Sequence, residues 1–119
     1  MQALVHYSRK LEPLPERFRA MDRAEFTITE CQTRVDIFPE SANGRMHFYA
    51  DVDVKHSPTI AAFLAILFSA VNDEPPGTTL AIPDDFVRRL MQGIGLAGRE
   101  FGLTSILGRV KRYARQATA

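Results

Sequence analysis

The spacing of apolar and polar positions changes along the chain, and each change marks an element. Near the N-terminus Leu4 and Tyr7 share one face of a short helix over 2–10, which the prolines of "EPLPE" end. In "EFTITE" the period falls to two, with Phe26 and Ile28 on one side and Thr27 and Thr29 on the other. That alternation predicts a strand, and a second follows in "RVDIF" after a gap of a few residues. Asn43 and Gly44 both accept positive φ, so "SANGR" predicts a tight hairpin into a third strand, "MHFYADVDV". There Met46, Phe48, Ala50, Val52 and Val54 face one way and His47, Tyr49, Asp51 and Asp53 the other, the pattern of an antiparallel sheet with one buried face.

The second half of the chain reads as helices. "IAAFLAILFSAV", Ile60 to Val71, is apolar throughout yet shorter than the roughly 20 residues that cross a bilayer, so it predicts a buried helix. Ser57 is placed to cap it, Pro58 stands where a missing donor costs least, and "NDEPPG" stops it. "IPDDFVRRLMQG" predicts a short helix carrying Phe86, Leu90 and Met91 and closed by glycine. From about Arg99 onward, Leu103, Ile106, Leu107, Val110 and Tyr113 recur on one helical face, while Arg109, Lys111, Arg112 and Arg115 point elsewhere. The predicted architecture is α+β, a three-stranded antiparallel sheet covered on one side by helices.

Composition sets limits on this picture. With 119 residues, 45% of them hydrophobic, the chain suits a single domain over 1–119. Met1 leads straight into helical sequence without a capping residue, as though the first helix were shortened. A net charge of +1 gives no overall reason to bind nucleic acid or a membrane surface. One cysteine cannot form an internal disulfide, and "MQALVHYSRK" lacks the basic-then-apolar layout of a signal peptide, so a cytoplasmic location is expected.

That cysteine, Cys31, falls between the first two predicted strands. A lone cysteine is commonly a small buried hydrophobe, but the polar flanks Glu30, Gln32 and Thr33 argue for a displayed thiol. Its reactive form is the thiolate, a minor species at neutral pH for a thiol of ordinary pKa, about 8.5. Glu30 opposes ionisation, so a cation is wanted nearby, and Arg99 at the start of the last helix is the candidate, backed by that helix's N-terminal partial charge. His6, His47 and His56 lack the paired spacings of a zinc site, and one thiol cannot hold an iron–sulfur cluster. Asp51 and Asp53 alternate on one strand face and read as solvated residues rather than an acid–base pair. No resident metal or cofactor is expected.

Four segments resemble the SufE-like sulfur acceptors of iron–sulfur cluster assembly. "LEPLPE" is similar to the family's leucine-proline signature, and "ECQTRV" resembles its Gly-Cys-Gln-Ser-x-Val loop, with Cys31 at the persulfide position, Gln32 and Val35 kept, and Thr33 for serine. "ADVD" is similar to Ala-Asp-Ser-Asp, and "GREFGL" to Ser-Arg-x-Asn-Gly-Leu, keeping Arg99. Departures are Glu30 for glycine, Asp36 for an aromatic, Gly98 for serine, Phe101 for asparagine, and an inserted "KHSP".

The resemblance implies a sulfur carrier rather than an enzyme. In that role Cys31 takes persulfide sulfur from a pyridoxal-phosphate cysteine desulfurase of the SufS type, stimulates it, and passes the sulfur to a SufBCD-like cluster scaffold. Gln32, Thr33 and Arg99 form the rest of the site, Phe26, Ile28 and Val35 line an apolar shelter, and the chain is a monomer or homodimer. A non-catalytic module that docks on a desulfurase, with Cys31 incidental, is the alternative; a thiol redox sensor is weaker, having no second, resolving cysteine.

Overall fold

The computed structural model of the chain describes residues 6–28, 34–94 and 100–118. Its centre is the predicted hairpin. Asn43 and Gly44 take φ of 57° and 77° and join β1 (Asp36–Ala42) to β2 (Arg45–Asp51). The two strands pair antiparallel from Asp36 opposite Asp51, through Phe38 opposite Tyr49, to Ala42 opposite Arg45.

Side chains alternate across this ribbon, and both of its faces are covered. Ile37, Met46, Phe48 and Ala50, at most 4% exposed, join the main core. Phe38 belongs to the opposite face, where it forms a second cluster with Leu14 and Phe18. A sheet covered on one side only is therefore corrected. The short helix α1 (Glu16–Arg19) and the extended residues before it fold over the far face, because Phe18 can bury its ring there against Phe38 at 5.0 Å between centroids.

The predicted three strands are two among the described residues. Instead of a strand from Glu25, Ala24–Phe26 form a 3-10 turn. The Asp22 carboxylate accepts the Ala24 N–H at 3.1 Å, and the Phe26 and Thr27 N–H groups donate to the Arg23 carbonyl at 2.9 and 3.1 Å. Donors spent within the turn are lost to a ladder. Among the described residues of the segment only Thr27 and Ile28 meet the sheet, through a bridge from Thr27 to Asp36 and an Ile28 N–H bond to the Val35 carbonyl at 2.8 Å. Val54, expected to continue β2, is exposed beyond its end at Asp51.

The apolar helix is α2 (Pro58–Val71), with Ile60, Phe63, Leu64, Leu67 and Val71 in the core. Pro58 opens it as expected, and Ser57 is its N-cap residue, although the Ser57 side chain makes no capping bond. The turn that ends α2 also closes the outer edge of β2. Asn72 accepts the Phe48 N–H at 2.7 Å and donates to the Phe48 carbonyl at 3.2 Å, as a strand partner would. Met46 completes the pairing, its N–H to the Glu74 carbonyl at 2.9 Å and its carbonyl from the Asp73 N–H at 2.8 Å. The edge is thereby blunted.

The apolar helix stops before "NDEPPG" as expected, and the prolines open a further one: α3 (Pro76–Leu80) places Pro76 in its first turn, where no N–H is needed. Next, α4 (Phe86–Ile94) buries Val87, and it runs past Gly93, which was expected to close it. Last comes α5 (Glu100–Thr118), which buries Leu103, Ile106, Leu107, Val110 and Tyr113 as its apolar stripe predicts. The Tyr113 hydroxyl donates to the Ile37 carbonyl at 3.1 Å and ties α5 to β1. No helix among the described residues is long and apolar enough to cross a membrane.

Candidate functional site

Cys31, Gln32, Thr33 and Arg99, the residues on which the sequence places the chemistry, lie outside the described residues, as do Glu30 and Gly98. What is described is the frame on which segment 29–33 is mounted. Ile28 on one side and Val35 on the other are both fully buried in the main core and are joined by their backbone hydrogen bond. These two residues, with Phe26 packed on Phe38 at 4.8 Å between centroids, were expected to line a shelter for sulfur. Ile28 and Val35 belong to the main core, and Phe26 packs against it.

The next residues outward are polar. Asp36, 1% exposed, opens β1. Its carboxylate accepts a hydrogen bond from the Thr27 hydroxyl, the Arg34 Nε lies 3.4 Å from it, and Arg23 Nη1 donates to it at 3.3 Å. Arg23 Nη1 also donates to Asp51 on the neighbouring strand. Asp51 is therefore half-buried and ion-paired, a correction to its reading as a solvated strand residue, and Arg23 is a residue the sequence pattern did not single out. The bonds to Asp51 and Asp36 outweigh desolvation and raise the pKa of Arg23 further.

A third tie comes from α5. Arg109 Nη1 donates to the Glu25 carbonyl at 3.0 Å and Nη2 approaches the Thr27 carbonyl at 3.3 Å. The arginine expected to point away from the fold thus grips the strip that leads to Cys31. Lys111 similarly donates to the Ile82 carbonyl at 2.5 Å and pairs with Asp84 at 3.0 Å. No short-range sequence signal could have found these contacts, since Arg109 lies 84 residues from Glu25.

Beside Arg34 opens a groove of about 450 Å³ lined by Arg34, Asp36, Asp51, Asp53 and His56 among others. His56 and Asp53 bond to each other at 2.6 Å at its exposed rim, and the hydrogen bond from His56 holds the Asp53 carboxyl below its ordinary pKa. The other histidines are apart from it. His47 sits between Glu12 at 2.6 Å and Asp73 at 3.0 Å, and His6 rests edge-on against Tyr7. Among the described residues no three of His, Cys, Asp or Glu gather in a way that could hold a metal.

The model of SufE, the Fe-S metabolism associated domain, matches residues 1–114. The chain belongs to the SufE family. It shares 28% identity over 125 aligned positions with an uncharacterised SufE-like protein of Mycobacterium tuberculosis, found in strains CDC 1551 and H37Rv, covering 98% of this chain and 81% of the relative. Among solved structures, the solution structure of a hypothetical protein from Thermus thermophilus is similar, with a TM-score of 0.80 and 26% identity over 98% of this chain and 82% of that one. The fold is thus mixed α+β with a helix-packed antiparallel sheet, and the role of the chain lies in Fe-S metabolism.

Proposed function

We infer that this SufE-family chain is a sulfur acceptor whose working atom is the Cys31 Sγ. The observation that supports it most is the family match over residues 1–114, which runs through the single cysteine of the chain. The anchoring of Ile28 to Val35 is consistent with it, since a thiol presented to a large partner needs a firm base.

The chemistry is thiol–persulfide exchange. The Cys31 thiolate attacks the outer sulfur of a desulfurase persulfide, R–S–SH. A new S–S bond forms to Cys31 as the old one breaks, R–S⁻ leaves, and the terminal sulfur keeps its proton. No net oxidation occurs. The pyridoxal phosphate belongs to the desulfurase, and a cluster scaffold takes the sulfur onward. Arg99 serves as the cation that favours the thiolate, and Gln32 and Thr33 flank it.

Incubation with a pyridoxal-phosphate cysteine desulfurase and cysteine should add one sulfur, about 32 Da, to the intact chain and none to Cys31→Ser. An unchanged mass under turnover would sink the carrier reading. The departures at Glu30, Gly98 and Phe101 favour a second reading, a docking module that alters the desulfurase without carrying sulfur. Under that reading Cys31→Ser still stimulates the desulfurase; under the first it does not.

A further inference from the structure

Among the described residues Asp36 is the one buried side chain that carries a charge. Taking a carboxylate out of water is costly unless it is fully paired. Asp36 is paired by Thr27, Arg34 and Arg23, and the places of these partners in the chain give the cluster its meaning. Thr27 lies just before segment 29–33, Arg34 directly follows it, and Arg23 continues to Asp51 on β2. One carboxylate therefore holds both flanks of the segment that contains Cys31 and couples them to both strands.

Packing alone does not call for such a group. Ile28 and Val35 already anchor the flanks by burial, whereas a carboxylate at position 36 has to be desolvated and is held only by its partners. A guanidinium–carboxylate cluster adds direction, because its bonds fix orientation as well as distance.

We propose that Asp36 is a positioning residue for sulfur acceptance at Cys31: by holding Thr27 and Arg34 together it sets the approach from which the thiolate meets a persulfide on a partner protein. The proposal rests on the sulfur-acceptor reading above. Such a residue matters to a macromolecular donor, whose approach is constrained, and not to a small reagent that reaches the thiol from any side.

The test compares wild type, Asp36→Leu and Asp36→Asn by denaturant melts and by the rate of one-sulfur mass gain with a pyridoxal-phosphate cysteine desulfurase and cysteine. It adds the rate of Cys31 alkylation by iodoacetamide at a pH where the thiolate is fully formed. Asp36→Leu, which leaves Arg23 paired to Asp51 and Arg34 exposed to solvent, should still fold cooperatively in the melts, lose about tenfold or more in transfer rate, and keep its alkylation rate within about twofold. Arg34→Ala should slow transfer too and add no further loss on top of Asp36→Leu, as members of one unit do. If Asp36→Leu does not fold, Asp36→Asn, which keeps the shape without the charge, carries the same comparison. Transfer at the wild-type rate in the folded variants, or transfer and alkylation falling together with stability, overturns the proposal and leaves Asp36 a structural ion. Wild type that gains no sulfur overturns the sulfur-acceptor reading itself and this proposal with it.

Discussion

The two faces of the β1–β2 hairpin are held by different chemistry. On the face toward α2 and α5, Ile37, Met46, Phe48 and Ala50 enter a cluster whose buried members include no charged side chain. On the other face Phe38 meets Phe18 and Phe26, and ion pairs surround these rings: Arg17 with Glu40, Arg23 with Asp36 and Asp51, His47 with Glu12 and Asp73. The first face holds by apolar area, which has no direction and does not respond to pH. The second has fewer apolar neighbours to offer, and its directional bonds fix how the strip 12–28 lies across the strands. The residues that flank segment 29–33 draw on both, since Ile28 and Val35 belong to the first cluster and Thr27 and Asp36 to the second network.

The contrast breaks most visibly under truncation of a ring. Phe63→Ala, in α2 on the first face, should cost about 3 to 5 kcal/mol in denaturant melts. Phe18→Ala should cost less, about 2 to 3 kcal/mol, because its cluster is small and its ring is bordered by the exposed Arg17 guanidinium, 4.9 Å from the ring centre. Equal costs would mean that the second face is as much a core as the first.

Cys31→Ser should change stability by less than about 1 kcal/mol, since the sequence places the thiol in a polar stretch and the core contacts fall to Ile28 and Val35. A loss as large as that of Phe63→Ala would make Cys31 a member of the core and count against its role as a presented thiol.

The smallest effect concerns pH. Burial opposes a charge on His47, but its bonds to Glu12 and Asp73 outweigh this and raise its pKa above the ordinary value. Both ring nitrogens face carboxylates, and donating to both requires the imidazolium. The stability this adds is fully present below the unfolded pKa, about 6.5, and is lost as pH rises through the higher folded value. Melts of wild type across that window should show a mild decline that His47→Gln removes and Phe63→Ala preserves. Asp53 acts in the opposite sense: its depressed pKa adds stability that is present above about 3.9 and lost as acid takes pH through the folded value.

The sequence by itself determined what depends on near neighbours in the chain. Asn43-Gly44 dictated the hairpin because positive φ is a property of those two residues, Pro58 and the apolar run dictated α2, and the stripe from Leu103 to Tyr113 dictated which side of α5 is buried. The motifs around Cys31 and Asp51 were enough to point to the SufE family. The tertiary structure decided whether alternation in "EFTITE" became a strand, since a strand exists only through its partner and here the donors close a turn on Arg23 first. It also decided which charges matter. Arg23 and Arg109 look like ordinary surface residues in the sequence, and with Asp36 and Asp51 they frame the flanks of the Cys31 segment only when Arg23 meets Asp51 from 28 residues away and Arg109 meets Glu25 from 84. Periodicity reports the face on which a side chain sits; what the rest of the chain brings to that face depends on contacts between residues far apart in sequence.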